Sequence, residues 1–324
     1  MGARSLTDPH SGESSAVARV RRPALGYALA ATAATLWSLN ASLSRELLDD
    51  GVSAVRLSQL RAVGSWLILL LVLAVVRRDL LRVERRQLPA LAFLGIVGLA
   101  LVHATYFLAI ERLQIGVALT IEYLAPLLLL LWLRIFHGRR LSGGLWVAVG
   151  LASVGCFFVV RAYDASGLDA LGLIAAFAAA VSFAIYMVGS ERAGHDHEPV
   201  TTLVWAFGFA SVFWALVAPW WDFPAGDFDT VRNAGLGFGV VVIGTLLPFT
   251  LMVAAVRHLP APRAALVSTL EPVLAAVFAF LIHDEALAAI QIAGGLLVLS
   301  GVVWVQTRAV DLEAESAPPF REAR

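Results

Sequence analysis

The sequence predicts an all-α membrane protein: ten transmembrane helices in two inverted five-helix repeats, with both termini cytoplasmic. Three observations lead there. First, 59% of the 324 residues are hydrophobic and only 15% are charged, with mean hydropathy +0.80. Soluble domains carry about 45–50% apolar and about 25% charged residues. Second, ten segments qualify as spans of the roughly 20 mainly apolar residues that a bilayer core requires. Third, the chain matches itself when shifted by 146 residues.

The segments lie at 24–46, 53–76, 88–110, 115–136, 143–161, 169–190, 200–221, 235–257, 262–282 and 288–307. The polar stretches 1–23 and 308–324 are expected to be disordered and cytoplasmic, because they hold too few apolar residues to pack. Arg19, Arg21 and Arg22 precede the first apolar run as in a signal peptide, but that run is too long for one and is taken as the first span. All 24 basic residues are arginine. Arg77, Arg78, Arg82, Arg85, Arg86, Arg139, Arg140, Arg192, Arg257, Arg263 and Arg308 fall in one alternating set of loops, which the positive-inside rule assigns to the cytoplasm. The other set mixes Arg45, Arg56, Arg112, Arg161 and Arg232 with acidic residues. Trp146, Trp220, Trp221 and Trp304 suit the ends of spans.

The 146-residue offset sets Gly26 on Gly172, Arg112-Leu113 on His258-Leu259, Pro126 on Pro272 and His137 on His283. Residues 24–161 form the first repeat and 169–307 the second. An odd number of spans per repeat inverts the second copy. Inverted repeats are a recurring transporter architecture, with the substrate near the midplane at their interface.

Three stretches carry a resemblance: AATLWSLNASLSREL (33–47), YFLAIERLQIGVALTIEYLAPLLLLLW (106–132) and LVSTLEPVLAAVFAFLIHDEAL (266–287). Together with the two five-helix halves they resemble the drug/metabolite transporter superfamily, EamA type, over residues 24–307. The AIE, GVAL and EYLAP pieces are similar to the branch that includes threonine/homoserine exporters. The resemblance implies a multi-pass carrier of the cell inner membrane, an exporter rather than an enzyme, with no cofactor. Where the family often has an acidic residue after the fourth helix, this chain has Arg139, the repeat partner of Glu285.

Polar residues inside the spans are the candidate site, because a lone charge in hydrocarbon costs about 2.5–3.5 kcal/mol or more. Glu122 lies about 10 Å from the outer end of its helix, Arg61 about 12 Å, His103 about 10 Å and Asn40 about 9 Å. Asn40, Arg61, His103, Glu122 and Tyr186 are therefore the expected substrate-binding residues. Arg61 would hold a carboxylate with its planar fork. Glu122 would face an ammonium group or carry a proton, and His103 would tune that proton. The competing reading is an Arg61–Glu122 pair that only locks two helices. Glu122 and Glu271 are the candidates for proton coupling. The repeat partners of the polar four are Tyr186, Phe207, Phe249 and Ser268, an aromatic opposite wall. Pro126 removes an amide donor and frees the carbonyl of Glu122, and Pro272 does the same for Ser268.

The function expected from these features is secondary active export of amino acids or similar small polar metabolites by alternating access. The alternatives are proton-independent uptake or exchange, and a non-transporting scaffold or lipid-handling protein. The partners are a small-molecule substrate, the lipid bilayer and protons, with homodimerisation left open. Zero formal net charge points to no nucleic acid. Cys156 alone excludes an internal disulfide and a cysteine metal cage. His195, Asp196 and His197 are expected in a solvated loop rather than around a metal. No Walker A, HExxH or G-x-S-x-G pattern occurs, so ATP-driven transport and hydrolysis lack a motif.

Overall fold

The computed structural model describes residues 22–113, 115–138, 141–164, 169–283 and 287–307. The flanking segments expected to be disordered, and Arg139, Arg140 and Glu285, lie outside the described residues. Ten helical rods run through those that are described. They are α1 (Pro23–Asp49), α2 (Ala54–Val76), α3 (Leu88–Ile110), α4 (Ile115–Glu122 with Ala125–Phe136), α5 (Gly143–Val159), α6 (Ala170–Asp196), α7 (Pro199–Val217), α8 (Val231–Ala255), α9 (Ala261–Ser268 with Leu270–His283) and α10 (Ala289–Thr307). The described residues contain no strand. Seven rods, α2 to α4 and α6 to α9, contain stretches long and apolar enough to cross a membrane, while α5 and α10 are shorter apolar helices. Thr32, Thr35, Ser38 and Asn40 make α1 less apolar, and much of its surface is covered by the bundle.

Local chemistry sets the helix starts. Proline, which needs no amide partner, occupies the first turn of α1 and α7. Side-chain caps begin four others. Ser53 accepts from Arg56 N (3.3 Å), Ser142 from Leu145 N (3.3 Å), Asp169 from Gly172 N (2.8 Å) and Thr230 from Asn233 N (3.1 Å). One expectation is corrected here. His195 and Asp196 are the last residues of α6 rather than part of a loop, because the helix runs on until His197 N–H bonds the Ala193 carbonyl. Trp220 and Trp221 sit in a short 3₁₀ turn after α7, not at its end.

The packing follows the 146-residue offset. A Cβ on Gly155 would lie 2.6 Å from the Gly294 carbonyl oxygen, and one on Gly301 2.6 Å from that of Ala148. These two contacts exchange under the offset. Residue 155 faces 294 while 148 faces 301, so α5 and α10 run antiparallel, backbone against backbone. The pair α2 and α7 behaves alike: Gln59 donates to the Ala218 carbonyl (2.6 Å), while Trp66 covers Gly208 further along. The first helix of each half crosses to the other half. Gly26 of α1 admits Leu259 after α8, and Gly172 of α6 admits Leu113 after α3; an added Cβ would lie 2.6 and 2.7 Å from the two leucines.

The interruptions repeat too. Both α3 and α8 widen into π-helical turns, at Leu94–Ala100 and Val242–Leu246. Both α4 and α9 break, at Tyr123-Leu124 and at Thr269. Gly155→Val places carbons into backbone and is expected to cost about 1–3 kcal/mol. Gly150→Ala, whose added carbon meets nothing within 4 Å, is expected to stay within about 0.5 kcal/mol. Thermal unfolding in detergent compares the two.

Candidate functional site

The widened turn of α8 is the centre of the polar cluster. Pro248 cannot donate an amide hydrogen, so the Gly244 carbonyl loses its usual helical partner. Arg61 supplies one: Nη2 donates to that carbonyl (3.3 Å) and Nε to Thr245 Oγ1 (2.8 Å). Thr245 in turn donates to the Val240 carbonyl (2.9 Å), five residues back. Asn40 of α1, almost fully buried, presses its amide oxygen against Gly244, which has no side chain to exclude it. That oxygen accepts from Ser44 Oγ (3.2 Å). Asn40 and Arg61 are therefore brought together, from two helices, on one stretch of backbone.

The locking pair between Arg61 and Glu122 is not formed. Among the described residues no ion pair joins them, because the guanidinium turns toward α8 and engages two of its three nitrogens there, leaving Nη1. Glu122 ends the first segment of α4. Its electrostatic neighbour is Glu271, in the first turn of the second segment of α9. Glu271 lies within electrostatic reach of Arg61 and of Tyr123. Tyr106 lies within electrostatic reach of both carboxylates. Two carboxyl groups and one guanidinium thus share the interior where α4 and α9 break.

His103 is not bonded to Glu122. Its Nδ1 pairs with the Leu99 carbonyl one turn back (2.8 Å). A carbonyl only accepts, so Nδ1 carries a hydrogen. The ring faces Phe249, centroids 6.4 Å apart. Phe249 also meets Trp37 (5.2 Å), Tyr186 (5.4 Å) and Phe207 (5.7 Å), each edge to face. The three aromatic repeat partners therefore converge on one cluster with His103. Ser268 is buried and donates to the Ala265 carbonyl (2.7 Å), capping the first segment of α9. A cavity of about 880 Å³ between α3, α4 and α6 contains none of these residues.

Thr245, Gly244, Tyr106 and Tyr123 were not singled out in the sequence. The signal for the first two was Pro248, since the argument applied to Pro126 and Pro272 places a freed carbonyl at Gly244. The tyrosines gave no signal, because an aromatic inside a span is ordinarily packing. Gly244→Ala is expected to displace Asn40 and lower thermal stability in detergent by about 1–3 kcal/mol. Asn40→Ala in the same chain should recover most of the loss, which a double-mutant cycle measures.

The comparisons with known proteins agree with this architecture. The model of the EamA-like transporter family matches twice, over residues 24–161 and 170–307. The threonine/homoserine exporter RhtA of Escherichia coli (strain K12) is 30% identical over 269 residues, covering 81% of this chain and 83% of that protein. Its counterpart in Salmonella typhimurium (strain SL1344) is 31% identical over 258 residues, covering 78% and 81%. The pseudopaline exporter CntI of Pseudomonas aeruginosa (strain UCBPP-PA14) is 27% identical over 272 residues, covering 82% and 92%. A solved crystal structure aligns with TM-score 0.76 at 18% identity over 90% of this chain and all of its own, which bears on the fold alone. Two family matches that together span most of the chain, laid over two packed halves with matching helix breaks, mean that this multi-pass membrane protein belongs to the EamA-like transporter family.

Proposed function

We propose that the protein exports amino acids or similar small polar metabolites across the cell inner membrane by alternating access, with coupling to protons. All ten rods cross the bilayer, both termini are cytoplasmic, and the two halves are inverted and rock about their shared seam. The observation that carries this reading is the coincidence of three features. The charged residues lie at the helix breaks, the breaks recur at one offset in both halves, and the halves meet there. Broken helices inside a membrane persist where they border a cavity or a polar site. The relatives named as threonine/homoserine exporters act on amino acids, which carry one carboxylate and one ammonium group.

In this reading the substrate carboxylate meets Arg61 Nη1, and the substrate ammonium lies toward Glu122 and Glu271. Tyr186, Phe207 and Phe249 close the apolar side, and Asn40 holds the floor beside Gly244. Two carboxyl groups face one guanidinium, so a cationic group or a proton is needed for neutrality. Exchange between the two is a route to coupling. Because Arg61 also ties α2 to the widened turn of α8, carboxylate binding would shift the tie between the halves. A substrate needs only to favour one state by a few kcal/mol to drive the change.

The test is flux of L-threonine and L-homoserine in proteoliposomes under an imposed pH gradient. Wild-type flux is expected to follow the gradient. Glu122→Gln should retain folding and lose that dependence, and Glu271→Gln should reduce it. Arg61→Gln removes a charged hydrogen-bond donor and is expected to lower kcat/KM about 10- to 100-fold. Gradient-independent flux in the wild type would favour the uptake or exchange reading, and the absence of flux for either amino acid would reject this substrate class.

A further inference from the structure

The 146-residue offset also relates two clusters of charge at opposite ends of the bundle. At one end Arg232, at the start of α8, pairs with Glu46 and with Asp50 (Nη1 to Oδ2, 2.5 Å), at the end of α1. Its Nη1 also reaches Asn233 Oδ1 (3.2 Å). The offset carries Arg232 to Arg86, Asn233 to Gln87, Glu46 to Arg192 and Asp50 to Asp196. All four counterparts line the 880 Å³ cavity at the arginine-rich end. There the arginine does not cross to the neighbouring helix. Arg86 pairs with Glu84, two residues away (2.5 Å), and Arg192 lies over the Trp132 ring, 5.8 Å from its centroid.

The helix packing differs in the same sense. The second segment of α9 lies close along α1, whereas its counterpart, the second segment of α4, packs more loosely on α6. The space left between α4 and α6 is the cavity. One end of the bundle is therefore latched and the equivalent end is open.

We propose that these clusters are two halves of one reciprocal latch. Arg232 with Glu46 and Asp50 holds the outer end shut while the inner end is open, and Arg86 with Asp196 holds the inner end shut when the outer one opens. The clusters differ at one position. Where the outer latch has Glu46, the inner has Arg192, which repels Arg86. The inner latch is thus the weaker, and the carrier rests open toward the arginine-rich side, where an exporter loads. This deepens the alternating-access reading and rests on it.

The test converts the inner cluster to the outer pattern with Arg192→Glu. A cysteine replacing Val188 in the cavity, on a Cys156→Ser background, reports opening through its rate of labelling by a neutral maleimide. Arg192→Glu is expected to slow labelling about two- to fivefold, the range of an exposed ion pair. Adding Arg86→Ala should restore the rate, which a merely misfolded variant would not do. Asp50→Asn, which weakens the outer latch, should slow labelling as well. Labelling unchanged in both Arg192→Glu and Asp50→Asn would overturn the latch. Threonine flux in the same proteoliposomes keeps the two readings apart. Latch-dependent labelling without flux of any amino acid leaves the latch standing and removes the exporter reading. Flux with latch-independent labelling does the reverse.

Discussion

Hydrocarbon offers no hydrogen-bond partner, so every backbone group that leaves the helical ladder inside the membrane must be met by the protein. The rest of this structure depends on that constraint. Four of the ten rods are irregular, and in α8 and α9 side chains answer the irregularity. The carbonyl freed by Pro248 is met by Arg61. The widened turn beside it is secured by Thr245. The break in α9 is capped by Ser268 and Thr269, whose hydroxyls donate to the Ala265 and Leu266 carbonyls. A charge that would be expensive if it stood alone is thus tied to the backbone defect that needs it.

The two halves share geometry but not charge. The offset predicts where helices widen, break and touch, yet Arg61, His103 and Glu122 face Phe207, Phe249 and Ser268 at the equivalent positions. Such division of labour keeps the mechanical properties of an inverted repeat while allowing a polar face and an aromatic face to meet. Among the described residues only Glu271 brings a carboxylate from the second half into the cluster, and it has Ala125 as its counterpart.

Much of the fold was legible because its signals are local and repeated. Apolar length marks the rods, arginine marks one end, and the offset marks the pairing of halves. Side-chain direction was less legible. Depth alone placed Arg61 and Glu122 at one level and allowed them to pair, but the roll of α2 turns the guanidinium to α8 instead. Roll is set by packing such as Trp66 on Gly208, which involves residues 142 positions apart and leaves no local pattern. Hydrophobicity also misjudged the end of α6. Its last turns carry Glu191, Arg192, His195 and Asp196, and a hydropathy rule ends the segment where a helix of polar residues continues.

The crossing of α1 and α6 between halves has a consequence for how the chain is made. Gly26 fits against Leu259, and Asn40 against Gly244, so the partners of α1 are synthesised some 200 residues after it. At about 5–20 residues per second, α1 spends roughly ten to forty seconds in the membrane before its groove exists. By contrast α6 emerges to find α3 and α4 already present. The first helix therefore waits, with Asn40 facing lipid, water or the insertion machinery, and assembly of the bundle closes late, when α8 and α9 arrive. In the alternating-access cycle proposed above these same surfaces separate and rejoin, so the docking that completes biogenesis is the one that cycle repeats.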